Sequence, residues 1–372
     1  MKLFNPFKNP YYNLNQIEIS KKNLLSNYHY LSSLDKNIRV APVLKSNAYG
    51  HGLVLIAKIL DTVGAPFFCV DSLHEAYELY KAKIKTPLLI MGYIDPRNLQ
   101  TKKLPFSYAV FDSEMLLAIK QYQPHAGIHL FIDTGMHREG ISLPEFPAFV
   151  EVIKKYSLNL EGIMSHFAMS NKPNDKYTNM QINGFQKVLQ IWKDNKVKTK
   201  WQHMANSDGL LNYKIYKNKL GNMSRCGIAL YGISGNHPQL KPVLQLTSRV
   251  VQIKHLQKGE KVGYDFTFVA KKNMRIAILP IGFNDGVEKR LSNVGYVLLQ
   301  NIPCKIIGRV SMNITTIDIT DVVDAKVGDR VIIYSNNPEQ KNSITNVTKH
   351  SKLSSYELLI HLHPSTKRIN IF

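Results

Sequence analysis

Short apolar runs and amphipathic stretches alternate over the first two-thirds of the chain. Ile38-Arg39-Val40-Ala41-Pro42-Val43-Leu44 reads as a buried strand. Segments 67–70, 87–91, 128–132 and 160–164 have the same texture. Between them the spacing turns helical. Leu73, Ala76, Tyr77 and Tyr80 fall at i, i+3, i+4 and i+7, and Leu24, Tyr28 and Leu31 mark an earlier helix. Ser72-Leu73-His74-Glu75 reads as a capping box, and Ser142-Leu143-Pro144-Glu145 repeats it with proline in the first turn. Strands alternating with helices over about 220 residues predict a parallel sheet, and closure into a (β/α)8 TIM-type barrel is the economical form.

The pattern changes near Pro242. Segments 243–253, 275–281, 296–299, 305–310, 315–319 and 330–334 are β-rich, with little helical spacing between them. Gly259, Gly282, Gly286, Gly295 and Gly328 punctuate them. The expected division is therefore a barrel domain over 1–240 and a C-terminal all-β domain over 241–372. The stretch before Ile17 either pairs with the second domain or lies loose. The sequence holds no internal repeat and no low-complexity segment.

Composition narrows the function classes. The chain has 372 residues, 44% of them hydrophobic and 20% charged, which is globular usage. Its 48 Lys+Arg against 27 Asp+Glu give a net charge of +21, which raises nucleic-acid binding. The lysines, however, are spread from Lys8 to Lys367 without a long basic block, and nothing reads as a zinc finger, an RNP strand or a GXXG loop. The charge is read as a solvated surface, and no nucleic-acid partner is expected. No apolar run approaches the ~18 residues of a membrane span. Residues Met1–Phe7 lack the apolar block of a signal peptide. Cys69, Cys226 and Cys304 are far apart and odd in number, which excludes a disulfide framework or a CxxC metal site. These features fit a cytoplasmic protein with no membrane partner and no metal.

The strongest local chemistry lies in Val43-Leu44-Lys45-Ser46-Asn47-Ala48-Tyr49-Gly50-His51-Gly52. It sets a lysine directly after an apolar strand. In a βα barrel the C-terminal strand ends form the active face, where a lysine amine is placed to act as a nucleophile. The glycines on either side of His51 allow a tight turn, and Tyr49 offers a hydroxyl.

Lys45-Ser-Asn-Ala-Tyr-Gly-His-Gly resembles the pyridoxal-phosphate segment of the alanine racemase family, in which the lysine carries the cofactor. Further motifs follow in the family's order. Asp133-Thr-Gly-Met-His-Arg-Glu-Gly140 resembles DTGMxRxG, Ser165-His-Phe-Ala168 resembles THFA, and His203-Met-Ala-Asn-Ser207 resembles HxANS. Arg225-Cys-Gly-Ile-Ala-Leu-Tyr-Gly232 resembles RxGIxLYG. Beyond Pro242, Val262-Gly-Tyr264, Pro280-Ile-Gly-Phe-Asn-Asp-Gly286 and Gly308-Arg-Val-Ser-Met-Asn313 resemble a VxYG-type turn, PIGYADG and GRVSMD.

The resemblance implies a pyridoxal 5'-phosphate enzyme that interconverts L- and D-amino acids, alanine first, with D-alanine supplying a bacterial cell wall. It implies two bases, Lys45 and Tyr264, one for each face of the substrate Cα. A phenol is a poor base at neutral pH unless its anion is stabilised, and His166, with Arg225 behind it, is the implied support. Arg225 would face the pyridine nitrogen. As a group that stays protonated it cannot protonate that nitrogen, which disfavours transamination. The implied cofactor contacts are Lys45, Tyr49, His203, Ser207, Arg225, the backbone of Gly227 and Ile228, and Tyr356. The implied substrate contacts are Arg138 and the backbone of Met312. The resemblance also implies a homodimer with composite sites, each completed by the other copy. A serine or broad-specificity racemase, a decarboxylase of the same fold type and a non-catalytic cofactor-binding protein are the alternatives.

Three positions depart from the family pattern. Phe131 stands where a carbamate-bearing lysine usually orients the loop arginine, Asn313 replaces an aspartate, and Phe283 replaces a tyrosine. Substrate-carboxylate binding is therefore expected to be weaker or differently arranged.

Overall fold

The structure is a computed structural model that describes residues 12–100, 102–156, 158–172, 174–216, 219–233, 237–351 and 353–371. Met1–Phe7, read above for a leader, lie outside the described residues. The chain divides into two compact units, Lys22–Lys241 and Pro242–Phe372 together with Met1–Lys21.

The first unit is a parallel barrel. Among the described residues its strands are Arg39–Pro42, Phe68–Val70, Leu88–Ile90, Phe106–Val110, Ile128–Asp133, Leu160–Met164, Trp201–His203 and Met223–Cys226. The middle six are hydrogen-bonded side by side in chain order, each pair parallel. Met223–Cys226 pairs in parallel with Arg39–Pro42 and sets Arg225 opposite Ala41. Val43 bridges Cys69, and the Arg225 N–H donates to the Ala205 carbonyl at 2.9 Å, so the ring of strands closes. Most of these strand residues are buried, as a sheet covered on both faces requires. Ala41, Val43, Phe67, Cys69, Leu89, Trp201 and Met223 form one apolar cluster of the interior.

Three strands escape the apolar-run reading: Phe106–Val110, Trp201–His203 and Met223–Cys226. Polar residues interrupt each of them, and several of those polar residues belong to the site. Helix Leu73–Lys81 forms, but it buries Ala76 and Leu79, while Tyr80 is mostly exposed at the edge of Phe106. Its capping box is half formed. Ser72 Oγ accepts the Glu75 N–H at 3.2 Å, whereas the Glu75 carboxylate accepts the N–H groups of Asp71 at 2.9 Å and Asn47 at 3.3 Å. Glu75 thereby ties two strand ends together beside Lys45.

The second unit is built on a six-stranded sheet. Its order is Ile302–Lys305, Tyr296–Leu299, Arg330–Tyr334, Leu244–Arg249, Gln16–Ser20, Lys367–Ile371. Gln16–Ser20 runs antiparallel to Leu244–Arg249 and parallel to Lys367–Ile371. The chain's opening strand thus belongs with this unit, whereas the 1–240 division assigned it to the barrel. A three-stranded sheet, Gln252–Leu256, Met274–Leu279 and Thr315–Asp318, and a small ribbon, Lys261–Val262 with Phe268–Val269, complete the β structure. The unit is mostly rather than wholly β. Helices Ile344–Ser351 and Ser355–Ile360 follow strand Arg330–Tyr334, the second started by a full Ser354–Glu357 capping box.

Candidate active site

Lys45 follows the strand Arg39–Pro42 by three residues, at the C-terminal rim of the barrel. The four residues after it, Ser46, Asn47, Ala48 and Tyr49, all have φ between 52° and 54°. A left-handed run of non-glycine residues costs about 1–2 kcal/mol per residue, so its surroundings must hold it. The Asn47 side chain accepts the Leu53 N–H at 2.8 Å, and the Ala48 N–H reaches the Leu44 carbonyl at 2.8 Å. Buried His51 bonds the carbonyls of Ala48 and Tyr49 at 3.0 and 2.9 Å and stacks on Tyr231, whose hydroxyl donates to Val43. The Lys45 amine lies 3.0 Å from the Asp71 carboxylate.

The Tyr49 ring passes close to Gly227. A Cβ there would stand 2.3 Å from the Tyr49 hydroxyl oxygen, so only glycine leaves the ring its place. Ser207, buried at the start of Ser207–Leu211, accepts the N–H groups of Gly227 at 3.1 Å and Ala229 at 3.3 Å. A phenol, a hydroxyl and backbone donors around a glycine turn make a setting for an anion. The adjacent Ile228 is also buried.

Arg225 is buried on the next strand. Its guanidinium donates to His203 Nδ1 at 2.6 Å, the His203 carbonyl at 2.9 Å, the Ser165 carbonyl at 2.6 Å and His166 Nδ1 at 3.1 Å. Burial lowers its pKa to about 10, still far above neutrality. Burial pushes His166 down to about 3, helped by the positive charges of Arg225, Arg138 and Lys45. The imidazole is neutral at physiological pH. Because its Nδ1 accepts from Arg225, its proton sits on Nε2.

Arg138 stands in the loop after Ile128–Asp133. The Asp133 carboxylate shapes that loop by accepting the N–H groups of Gly135, Met136 and His137. Arg138 Nε donates to the Glu139 carboxylate at 2.7 Å. Phe131 is buried against Ala109 and Met164, an apolar setting that offers the arginine nothing.

The second unit holds the other expected residues. Tyr264 opens a short 3-10 turn behind Gly263 and is 71% exposed, and Met312 is 60% exposed. Both line a cleft of about 330 Å3 with Asp265, Phe283, Lys289 and Arg309. Arg309 pairs with Asp265 at 2.6 Å, and the Asn313 amide donates to Asp285 at 3.3 Å. Tyr356 lies on helix Ser355–Ile360, about half exposed, and is not one of the residues that line this cleft. The structure thus gathers Lys45, Tyr49, Arg138, His166, His203, Ser207, Arg225, Gly227 and Ile228 on one unit, and Tyr264 and Met312 on the other.

Sequence reasoning missed two residues behind this group. His129 Nδ1 is 2.8 Å from His203 Nε2, and Glu161 lies 3.5 Å beyond it. Both sit inside strands, where one His and one Glu in apolar runs carry no signal.

Comparisons with known proteins agree with this architecture. The sequence profile of the alanine racemase N-terminal domain matches residues 19–235, and that of its C-terminal domain matches 243–370. The chain is 35% identical over 367 residues to an alanine racemase of Borreliella burgdorferi, covering 95% of this chain and 96% of that protein. It is 32% identical over 341 residues to one of Halothermothrix orenii, covering 88% of each. Among solved structures, the alanine racemase of Bacillus anthracis with bound L-Ala-P superposes with a TM-score of 0.87 at 29% identity, covering 98% of this chain and 96% of that one. That of E. faecalis gives 0.86 at 28%, covering 96% and 98%.

Proposed function

The chain belongs to the alanine racemase family, and on that premise we propose that it is an isomerase that interconverts L- and D-alanine with pyridoxal 5'-phosphate as cofactor. The observation that carries the reading is the joint presence of Lys45 on a held left-handed turn, the close approach of the Tyr49 phenol to Gly227 beside Ser207, and a buried cation at Arg225.

The residues fit the cofactor. The missing Cβ of Gly227 lets the Tyr49 phenol close against the Gly227 turn beside the Ser207 hydroxyl, a donor group suited to a phosphate, and the Lys45 amine is the group that would hold the aldehyde carbon. Tyr49, Ser207, Gly227, Ile228 and Tyr356 are assigned to the phosphate, and His203 and Arg225 to the ring side. When bound, the cofactor supplies the electron sink that makes the substrate Cα proton removable.

The chain's own residues do the rest. Lys45 takes or returns the Cα proton on one face and Tyr264 on the other. His166, neutral with its proton on Nε2, has a donor to offer a phenolate. Arg225 keeps a positive charge that it does not give up at neutral pH, so it orients the ring without protonating it. Arg138 and the Met312 backbone bind the substrate carboxylate. Tyr264 reaches Lys45 from a second copy of the chain, which makes the working unit a homodimer. The exposure of Tyr264 and Met312 around an open cleft supports that assignment. No helix among the described residues is long and apolar enough to cross a membrane, and the three cysteines are buried and unpaired, which supports a cytoplasmic setting.

The test is direct. Added pyridoxal phosphate gives the full chain a visible absorbance band that Lys45→Ala abolishes. In heavy water the enzyme exchanges the α-proton of both alanine enantiomers faster than those of serine and other amino acids. A band without exchange leaves a cofactor-binding protein, and neither band nor exchange overturns the reading.

A further inference from the structure

The Arg225 guanidinium is buried and donates to two carbonyls and two imidazole nitrogens, with no carboxylate among those acceptors. A guanidinium has donors only, so His203 Nδ1 must be bare and the His203 proton must sit on Nε2. That Nε2 lies 2.8 Å from His129 Nδ1, which must in turn be bare. The His129 proton is left on Nε2, a fully buried atom with no other hydrogen-bond partner among the described residues. It faces Glu161 Oε2 at 3.5 Å, the long link of the chain. Ser107 Oγ donates to the same Glu161 oxygen at 2.6 Å and fixes it.

We propose that His129 and Glu161 are positioning residues for Arg225: the polar chain from the guanidinium through His203 and His129 to the Glu161 carboxylate fixes both imidazole tautomers and holds the guanidinium in its orientation. The cation at one end and the carboxylate at the other favour the same direction of donors along the chain. Reversing it would turn an His203 N–H against an Arg225 N–H. Burial keeps both imidazoles below their ordinary range, so they are neutral, polarisable links rather than further cations.

The space for the chain is reserved at two glycines. A Cβ on Gly162 would stand 2.3 Å from His129 Nδ1, and one on Gly127 would stand 2.0 Å from Glu161 Oε2. Neither glycine has a positive φ, so these positions use the missing Cβ and not the backbone freedom. At its outer end the chain meets solvent. Glu161 and Ser107 line a cleft of about 350 Å3 with Gln123, His125 and Asn159, at the opposite strand ends from Lys45. The charge that complements buried Arg225 therefore stands outside the anion-binding end of the barrel, which keeps that end positive.

This role rests on the reading that Arg225 contacts the cofactor, and the test separates the two. The full chain with 15N-labelled histidine is studied by NMR, alone and with pyridoxal phosphate. His129 and His203 are expected to show bare Nδ1 and protonated Nε2 in both states. In Glu161→Gln the His203 signals shift, and kcat for alanine falls about tenfold while KM changes by less than about twofold. Gly162→Ala, which displaces His129 without altering a polar group, gives the same split. A proton on Nδ1 of either imidazole overturns the proposal, as does a Glu161→Gln protein with unchanged His203 signals and kcat. Failure of the wild-type chain to take up pyridoxal phosphate sinks the racemase reading instead, and leaves the tautomer pattern to be judged by itself.

Discussion

A Cβ on Gly227 would come within 2.3 Å of the Tyr49 hydroxyl oxygen and 2.7 Å of the ring carbon that bears it. The turn after Arg225 and the left-handed turn after Lys45 are therefore locked to each other through one missing methyl group. Gly227→Ala must push the Tyr49 ring aside, at a cost of about 1–3 kcal/mol. Because Tyr49 is assigned to the phosphate, the expected result is a roughly ten- to hundredfold weaker affinity for pyridoxal phosphate, with the barrel still folded. Equilibrium titration of the absorbance band, with circular dichroism as the folding control, checks it.

Glu139 is the carboxylate that the structure sets beside Arg138, in a loop where Phe131 can bear no carbamate. The pair is half exposed, and such pairs contribute at most about 1 kcal/mol. Glu139→Gln frees the Arg138 side chain to wander. It is expected to raise the alanine KM by up to about fivefold and to leave kcat nearly unchanged. Steady-state kinetics in both directions decide this. A fall in kcat at constant KM would remove Glu139 from carboxylate binding.

The alternation of apolar runs with helical spacing was enough for a barrel, because strands such as Ile128–Asp133 and Leu160–Met164 are buried on both faces and read as nearly continuous apolar segments. It failed where function interrupts the pattern. Met223–Cys226 carries Ser224 and Arg225, and Trp201–His203 carries Gln202 and His203. These strands are legible only through the motifs they begin. The place of the opening stretch around Gln16–Ser20 stayed an open alternative for another reason: its partners are more than two hundred residues away, and no local spacing encodes which sheet it joins. His129 and Glu161 stayed hidden because an isolated polar residue in a strand acquires meaning only from what the ring of strands brings beside it.

The buried histidines make stability depend on pH. His166 falls to about 3 in the folded chain against an ordinary 6.5, chiefly by burial, and His129 and His203 are also lowered. Between those values the unfolded chain binds more protons than the folded one, so stability rises with pH across that window. It is fully present above about 6.5 and is lost as pH falls toward 3, at up to about 1.4 kcal/mol per pH unit for each such histidine. The melting temperature should therefore drop between pH 7.5 and 5, and His166→Asn should flatten that slope. A melting temperature independent of pH over this range would mean that these histidines take up protons in the folded chain as readily as in the unfolded one.

Tyr264 and Met312 stand exposed around their own cleft, while Lys45 and Arg225 belong to the barrel unit. If one copy's Tyr264 completes another copy's barrel site, each active site draws its two bases from different chains. Lys45→Ala and Tyr264→Ala homodimers would each lack one base at both sites. A mixed dimer would have one site lacking both bases and one site intact. Co-refolding the two variants in equal amounts gives half of the dimers as mixed, each with one working site of two. Recovered activity should then approach about one quarter of wild type, a loss of only about 0.8 kcal/mol in apparent terms against the several kcal/mol lost by either variant alone. Tagging the two chains differently and purifying the mixed dimer doubles the figure to about one half by the same count. Inactive mixed dimers, with both tags present, would place the two bases on one chain.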